Sequence, residues 1–322
     1  MNLLSFDDVF SATCAENLRT AQITLVSCSS LADLEDSHYS DTDILVVRLG
    51  ITLNEAAIKK FTRLQTIATV TTGIDHVNTE YCRKHGIQFI SLKGEVAFLN
   101  TVTATPEMTW CLLLALVRKL PQCFAHVTAG KWARIPELWG HELHGKSIGI
   151  LGFGRVGKVV AKYAHAFGMT VFASDIMQIE TQQFPVTQLT ADDLIRTVDI
   201  LTVHLPLEDS TVHYLNENRL RTMKASSYLI NTARGAIVNT EALVQALEKK
   251  WIAGAALDVV ENETIDGYVN GQHPLIAYAK NNANLIISPH VAGSTYESMK
   301  KTASFICEKI LVPQHSRNPA NT

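Results

Sequence analysis

The chain has 322 residues, a length that fits two domains of ordinary size. Hydrophobic residues make up 47% of it and charged residues 18%, so a large core can form and extensive disorder is excluded. The net charge is −3 and no run of Lys and Arg occurs, so nucleic acid is not predicted as a partner.

The start of the chain favours a cytoplasmic protein. It includes Asp7 and Asp8 and lacks the basic segment of a secretory signal. The most apolar run, Trp110–Val117, is much shorter than the roughly 20 residues of a membrane-spanning helix, so no membrane partner is predicted. The six cysteines form no CxxC pair, and in a cytoplasmic chain we expect reduced thiols that lie mostly in the core.

The first third of the chain alternates strand-like apolar runs with helical stretches such as Asn54–Leu64, a pattern that builds a parallel sheet covered on both faces. A longer helix is predicted over Thr105–Lys119, where Pro106 suits a first helical turn. Residues Lys131–His144 are predicted to form an irregular connector. The predicted strands are Ile23–Ser27, Ile44–Val47, Thr66–Val70 and Gln88–Ile90.

A second α/β series follows the connector. Helices are predicted over Val156–Phe167 and Thr240–Lys250, the second with Thr240 as its N-cap. Two α/β domains of unequal size explain the whole pattern. The predicted strands are Ser147–Leu151, Thr170–Ala173, Ile200–Leu205, Tyr228–Asn231, Ala255–Val259 and Leu285–Ser288.

A glycine-rich turn joins the first strand and helix of this second series. A bare GxGxxG is a weak signal, but a strand precedes this one and a helix follows it. The first glycine permits the tight turn, the second lets the backbone approach a pyrophosphate, and the third lets helix and strand pack closely. The helix N-terminus then faces the phosphates. The residues are Gly152, Phe153, Gly154, Arg155, Val156 and Gly157.

An acidic residue, Asp175, ends the next predicted strand. It can accept hydrogen bonds from both hydroxyls of the adenosine ribose, and its charge would repel a 2′-phosphate. No Arg or Lys adjoins it in the sequence, so NAD is predicted as the cofactor in preference to NADP.

Three chemically active side chains follow three later strands: Arg234, Glu263 and His290. Ligands of open α/β sheets bind beyond the carboxyl ends of the strands, so these side chains are expected to converge. Arg234 can grip the carboxylate and carbonyl of a 2-keto acid. His290 can supply the proton, with Glu263 orienting the ring and favouring its charged form.

Taken singly, each of these residues has a plainer interpretation. An Arg after a strand is more often a surface ion pair, a single His more often structural, and a loop Glu more often solvated. His204 could line the cofactor cleft or be structural. The spacing of His141-Glu142-Leu143-His144 is wrong for the zinc motif HExxH, so no metal is predicted.

Several motifs in one order resemble the D-isomer-specific 2-hydroxyacid dehydrogenases, from about Thr66 to Ser298. The resemblance implies two doubly wound α/β parallel-sheet domains: a Rossmann NAD-binding domain (102–288) inserted into a flavodoxin-like substrate domain (1–101 plus 289–322). The motifs are Leu143–Gly157, Val203–Leu207, Asn231–Gly235, Ala256–Val259 and Ser288–Gly293.

The resemblance also implies residue roles. Arg234, Glu263 and His290 are the implied catalytic residues; Glu261 is a second nearby acid, but the family spacing from Asp258 favours Glu263. The loop Thr71–Asp75 is similar to the family loop that binds the substrate carboxylate, with Thr72 and Gly73 as contacts. Outside the glycine turn and Asp175, the implied cofactor contacts are Thr105, His204, Pro206, Thr232, Ala233, Asp258 and Gly293.

The predicted function is hydride transfer between NAD and a small 2-hydroxy or 2-keto acid, D-specific by resemblance. The family also forms homodimers, mostly through the helix at Thr105–Lys119. Glu263, where formate dehydrogenases carry Gln, argues against that branch. Two alternatives stay open: an NAD-sensing, corepressor-like binding protein of the same fold, and chemistry like that of S-adenosylhomocysteine hydrolase, which needs a longer chain.

Overall fold

The computed structural model describes residues 1–6, 9–263 and 272–312, and the chain divides into two compact units. Unit 1 comprises Met1–Val102 together with the chain from Ser294 onward, and unit 2 comprises Thr103–Gly293. Among the described residues, no helix combines the length and the apolar character needed to cross a membrane. The cytoplasmic location stays a prediction.

The described strands and α-helices alternate along most of the chain. The strands are β1 (Asn2–Phe6), β2 (Thr24–Cys28), β3 (Ile44–Val47), β4 (Thr66–Thr69), β5 (Gln88–Ile90), β6 (Ser147–Leu151), β7 (Thr170–Ser174), β8 (Thr187–Gln188), β9 (Ile200–Val203), β10 (Tyr228–Asn231), β11 (Gly254–Leu257) and β12 (Leu285–Ile287). The helices are α1 (Ala12–Thr20), α2 (Asp36–Asp41), α3 (Glu55–Lys59), α4 (Thr79–Lys84), α5 (Val96–Leu99), α6 (Ala104–Val117), α7 (Leu120–Thr128), α8 (Arg155–Ala166), α9 (Ala191–Thr197), α10 (Glu217–Thr222), α11 (Thr240–Glu248), α12 (Pro274–Ala279) and α13 (Tyr296–Leu311).

The described part of unit 1 is built on a five-stranded parallel sheet in the order β2-β1-β3-β4-β5. Alternate strand residues point to opposite faces, so each face acquires its own apolar layer. Leu3 and Val46 face Leu18 of α1 and Ile306 of α13 in one cluster. A second cluster joins other strand residues to α3 and α4 on the opposite face. This is the predicted doubly wound, flavodoxin-like arrangement.

The described part of unit 2 contains a seven-stranded parallel sheet in the order β12-β11-β10-β9-β6-β7-β8. The chain starts in the middle at β6, runs outward to β8, and then returns to β9 on the other side. That is the Rossmann order, whose switch point lies between β6 and β9. Two large apolar clusters cover the two faces. The predicted Rossmann fold is confirmed.

The predicted strands are confirmed, with ends that differ by one or two residues, but several other elements differ from expectation. The helix expected over Asn54–Leu64 ends at Lys59. Thr240 was wrong as an N-cap: the side chain of Asn239 accepts the Ala242 N–H at 2.9 Å, and Thr240 is the first helical residue. Strands β1 and β8 were not predicted, and neither were several helices, α7 among them.

The described cysteines are all free thiols, as expected from their scattered positions. Cys14, Cys82 and Cys307 are buried, whereas Cys111 is exposed on α6. The expectation that the cysteines lie mostly in the core therefore holds for half of them, and Cys111 is the clearest departure.

One carboxylate joins the starts of two central strands of unit 2. Asp199, just before β9, accepts hydrogen bonds from the Ser147 N–H at 2.9 Å and the Ser147 hydroxyl at 2.7 Å. The Lys224 ammonium lies 2.9 Å from its other oxygen. Burial would raise the pKa of Asp199, but these donors outweigh burial and lower the pKa to about 2.

We expect Asp199→Asn to lower the melting temperature at neutral pH, at a cost of about 1–2 kcal/mol, because the amide keeps only part of this network. The native pKa lies below the ordinary value, so the stabilisation is present above about pH 4 and is lost as pH falls towards 2. The gap between the melting temperatures of the two proteins should narrow from pH 7 down to pH 3. A gap that stays constant over this range would contradict the assignment.

Candidate active site

The glycine-rich turn links β6 to α8 at the switch point of unit 2. Gly152 has φ +94°, and a Cβ there would lie 2.8 Å from the carbonyl of His204, which follows β9. A Cβ on Gly157 would lie 2.3 Å from the Gly152 oxygen. The packing is therefore by itself sufficient to require glycine at these two positions.

Gly154 differs from the other two glycines of the turn. It precedes α8 and would place a Cβ in open space, with no atom within 4 Å. Packing therefore does not require glycine at this position. An open cradle at the N-terminus of a 12-residue helix fits a bound pyrophosphate.

Asp175 follows β7 and closes the same turn from the other side. Its Oδ2 accepts the Phe153 N–H at 2.7 Å and its Oδ1 accepts the Met177 N–H at 3.0 Å. Asp175 and Gly154 line a cavity of about 370 Å³. Lys158 of α8 also lines it; this cation was not predicted, because Lys158 is not a chain neighbour of Asp175. The residues of this turn fit NAD.

His204 lies beside the turn and is held as a neutral side chain. Burial lowers its pKa to about 3. Its Nε2 lies 2.9 Å from the Thr202 hydroxyl, and its backbone N–H donates to the Leu151 carbonyl at 2.7 Å. Of the two roles left open by the sequence, these contacts support the structural one. The His204 backbone packs directly against the turn at Gly152.

Thr105, Thr232 and Gly293 come from three separate segments of unit 2. Thr109 of α6 shares a buried hydrogen bond with Thr232, with 2.8 Å between the hydroxyl oxygens. Thr109 was not among the predicted site residues. Thr109 also donates to the Thr105 carbonyl at 2.8 Å. A Cβ on Gly293 would lie 3.9 Å from the Thr105 hydroxyl. These predicted cofactor contacts therefore share one region at the start of α6.

Two further predicted cofactor contacts lie on loops held by local hydrogen bonds. The carbonyl of Pro206, an exposed residue, accepts the Thr211 hydroxyl at 2.7 Å. Ala233 donates its N–H to the Asn231 side chain at 3.0 Å. The same Asn231 side chain donates to the Arg234 carbonyl at 2.9 Å, which shapes the turn after β10.

Arg234 lies in that turn, and the residue after it packs on the neighbouring loop. The Arg234 Nη1 donates to the Ala233 carbonyl at 2.8 Å, which orients the guanidinium. A Cβ on Gly235 would lie only 1.9 Å from the Val260 carbonyl carbon and 2.4 Å from the Glu261 nitrogen. The Arg234 turn therefore lies directly against the loop after β11, which carries Glu263.

We expect Gly235→Ala to destabilise unit 2 by about 1–3 kcal/mol, the usual cost of overpacking, because rigid backbone rather than a flexible side chain blocks the Cβ. The variant's melting temperature should fall and its turnover should drop with it. Gly154→Ala is the matched control, since its Cβ meets open space: it should keep the melting temperature and weaken NADH binding instead. Equal melting temperatures for wild type and Gly235→Ala would contradict this packing.

Glu263 and His290 meet directly at the carboxyl ends of β11 and β12. The His290 Nδ1 lies 2.5 Å from the Glu263 Oε1, and both side chains are a quarter exposed. The Glu263 Oε2 also faces the Val260 N–H at 3.4 Å. Of the two acids that the sequence offered, Glu263 is therefore the one against His290, as the spacing predicted.

His290 adopts a left-handed backbone conformation with φ +51°, which is uncommon for residues other than glycine and has to be held in place. Asp258 holds it. The Asp258 carbonyl accepts the His290 N–H at 2.8 Å. The Asp258 carboxylate accepts the N–H groups of Val291 at 3.0 Å and Ala292 at 2.8 Å.

The Asp258 carboxylate also accepts the Ser288 hydroxyl at 2.6 Å. Burial raises the pKa of Asp258, although these hydrogen bonds act in the opposite direction. Asp258 therefore fastens both sides of His290, and the loop that carries the imidazole is fixed by a buried acid.

The second acid of this loop, Glu261, has a different partner. Its Oε1 lies 2.5 Å from the His213 Nε2, on the loop after β9. This pairing of His213 with Glu261 was not predicted. No local sequence signal links them, because 48 residues separate the two.

The loop predicted to bind the substrate carboxylate, Thr71–Asp75, lies in unit 1 after β4. The Thr71 hydroxyl donates to the Gly73 carbonyl at 2.7 Å and lies 2.8 Å from the Thr69 hydroxyl. The Thr69 hydroxyl in turn lies 3.2 Å from the Nε2 of the buried His76. Thr72 is exposed at the tip.

Among the described residues, no group of three or more His, Cys, Asp or Glu side chains could hold a metal ion.

Comparison with known proteins gives consistent matches. The family model described as "D-isomer specific 2-hydroxyacid dehydrogenase, NAD binding domain" matches residues 110–292. A glyoxylate reductase of Aeropyrum pernix is 36% identical over 290 residues, covering 87% of this chain and 82% of that protein. The D-3-phosphoglycerate dehydrogenase of Bacillus subtilis is 34% identical, covering 88% of this chain but 51% of that protein.

Among solved structures, a D-lactate dehydrogenase from Aquifex aeolicus complexed with NAD and lactic acid superimposes with a TM-score of 0.83 at 27% identity. The superposition covers 96% of this chain and 94% of that one. The fold likeness therefore extends over both units.

Proposed function

Because the chain belongs to the D-isomer specific 2-hydroxyacid dehydrogenase family, and is thus an NAD-dependent oxidoreductase of 2-hydroxy acids, we propose that Arg234, Glu263 and His290 carry out its reaction and that small 2-keto acids are reduced to D-2-hydroxy acids. The observation that supports these roles is the 2.5 Å contact between Glu263 and His290 at the carboxyl ends of adjacent strands.

His290 handles the proton in this proposal. Its Nδ1 is bound to Glu263, so Nε2 is the nitrogen that exchanges a proton with the substrate oxygen. In reduction, Nε2 gives a proton to the carbonyl oxygen; in oxidation, it takes the hydroxyl proton. The contact with the Glu263 carboxylate fixes the orientation of the ring. Asp258, through its bonds on both sides of His290, keeps the imidazole in place.

Arg234 binds the substrate. Its planar, permanently charged guanidinium can donate two parallel hydrogen bonds to the carboxylate or bridge carboxylate and carbonyl. NAD, when bound, supplies the hydride acceptor or donor. We assign its pyrophosphate to the turn at Gly152, Gly154 and Gly157, and its adenosine ribose to Asp175, so unit 2 is the cofactor domain. Arg155 and Val156, at the start of α8, stay predicted cofactor contacts, and Thr72 and Gly73 stay predicted substrate contacts.

Glyoxylate is the first substrate to test, because the similar protein from Aeropyrum pernix is a glyoxylate reductase. We would measure NADH and NADPH oxidation with glyoxylate, pyruvate, hydroxypyruvate and 3-phosphohydroxypyruvate. We expect turnover with NADH and at least one small acid, and a preference for NADH over NADPH because Asp175 repels a 2′-phosphate. The lactate formed from pyruvate should be the D isomer. No turnover with any acid, or L-lactate as product, would overturn the proposal.

We also propose a homodimer, formed through a different surface from the helix expected. Helix α6, which occupies the expected position, buries Trp110, Leu113 and most of its other apolar residues in the core of unit 2. The residues after it are instead unusually exposed: Phe124 of α7 by 70% and Trp132 by 87%. Large apolar side chains exposed to this degree are typical of a protein–protein interface.

We expect Phe124→Glu to convert the dimer to monomers, because a buried unpaired charge at an interface costs several kcal/mol. Light scattering coupled to size-exclusion chromatography would give the mass. Tyr296→Glu, at an even more exposed aromatic residue on α13, is the control and should stay dimeric. A monomeric wild type, or a dimeric Phe124→Glu, would contradict the proposal.

A further inference from the structure

We propose that His213 and Glu261 form a second His–Glu pair that positions the loop after β11. The pair keeps Glu263 against His290 and keeps the Arg234 turn packed on that loop. The inference rests on the proposed roles of Arg234, Glu263 and His290. It assigns a function to two residues that neither touch His290 nor belong to the predicted catalytic set.

The Glu261 side chain is mostly buried and held at both oxygens. Its Oε1 lies 2.5 Å from the His213 Nε2, and its Oε2 faces the Thr240 N–H at 3.4 Å. The Glu261 carbonyl lies 3.1 Å from the His273 Nε2. Burial would raise the pKa of Glu261, but His213 and Thr240 outweigh it and lower the pKa, so the carboxylate is ionised. An ionised side chain with several partners fixes its backbone strongly.

His213 is held equally firmly from the other side. Its backbone is left-handed, with φ +50°, and its N–H donates to the Ala236 carbonyl at 2.7 Å. The Asn239 amide nitrogen faces its Nδ1 at 3.4 Å. Two residues later, Leu215 pairs with Val238 in a short parallel bridge. Hydrogen bonds therefore connect the His213 segment to the residues that follow Arg234.

The pair thus fastens two segments that the proposed chemistry needs together, the loop that carries Glu263 and the turn that carries Arg234. Glu261 is two residues before Glu263, and the Val260–Glu261 backbone is the surface on which Gly235 packs. His290 itself is fixed separately, by Asp258. Loosening Glu261 should therefore release Glu263 and the Arg234 turn, while the His290 loop and the glycine-rich turn after β6 keep their places.

This separation predicts a specific kinetic signature. The Glu263 Oε1 contacts the His290 Nδ1 at 2.5 Å. If Glu263 moves away, the imidazole loses the contact that orients it for proton transfer. Turnover should therefore fall, while NADH affinity, which depends on the glycine-rich turn after β6, should be retained. Loss of stability alone would lower both together.

The experiment compares wild type with Glu261→Gln, His213→Gln and the double variant. Glu217→Gln is the matched control, because Glu217 forms an exposed ion pair with Arg221 on α10, at 2.7 Å. We expect each single variant to lower kcat about 10-fold, typical for loss of a residue that orients a catalytic group. The double variant should be no worse than either single one, because both remove the same interaction. NADH affinity, from fluorescence titration, should stay within about twofold.

Hydrogen–deuterium exchange separates this inference from the proposed function. In the NADH-bound protein, residues 254–263 should exchange faster in Glu261→Gln than in wild type or Glu217→Gln. This readout needs no turnover, so an inactive wild type would overturn the proposed function while still testing the loop. Unchanged exchange in this segment, or an unchanged kcat in an active enzyme, would overturn the inference.

Discussion

His290→Asn is expected to lower kcat for keto-acid reduction by about 10²–10⁴-fold, the usual contribution of a general acid. Asparagine is the informative replacement because it tolerates the left-handed backbone that His290 adopts at φ +51°. Its amide can still hydrogen-bond to Glu263 but cannot deliver a proton at any useful rate. The variant therefore removes the proposed chemistry without forcing the loop to rearrange.

NADH binding should survive this substitution. The glycine-rich turn and Asp175 lie at the ends of β6 and β7, and Asp258 continues to hold the N–H groups of Val291 and Ala292. Fluorescence titration should give an NADH affinity close to wild type, and the melting temperature should change little. A His290→Asn protein that keeps more than about a tenth of the wild-type kcat would show that another group supplies the proton.

Short apolar runs and strand–turn–helix patterns allowed much of the fold to be predicted. The strands of unit 2 other than β8 are apolar runs bounded by polar turns, and each of these was found near its expected position. Strand β1 was not predicted because Asn2–Phe6 lies at the chain terminus and Ser5 interrupts its short apolar run. Helix α7 escaped because Pro121 and the short polar stretch around it suggest a break; the break is instead confined to the left-handed Lys119.

For the candidate site, the sequence could supply residues that follow strands but not the contacts between distant loops. Glu263 against His290 followed from the order of parallel strands, since β11 and β12 are neighbours. His213 and Thr109 were missed because each meets its partner across separate elements, and Lys158 because it lines the Asp175 cavity from a different element. Their positions depend on how loops and helices pack over the sheet, and that information is spread over many residues rather than written in one motif.

Replacing Arg234 is expected to weaken binding of the substrate carboxylate. Each hydrogen bond to a charged group contributes about 1.5–3 kcal/mol, so loss of two in Arg234→Ala should lower kcat/KM by about 10²–10⁴-fold, mostly through KM for the keto acid. Arg234→Lys keeps the charge but not the planar pair of donors, so it should recover only a small part of the loss. NADH affinity should again be nearly unchanged.

Added guanidinium ion makes the test specific for Arg234. If the lost interaction is the one between guanidinium and carboxylate, the free ion should partly restore Arg234→Ala, where truncation leaves space, and should not restore Arg234→Lys, where the ammonium occupies it. Arg219→Lys is the control, because Arg219 stacks on Tyr214 and pairs with Asp192 elsewhere in unit 2. A keto-acid KM in Arg234→Ala equal to that of wild type would mean that the carboxylate is bound by other groups, and the role proposed for Arg234 would fall.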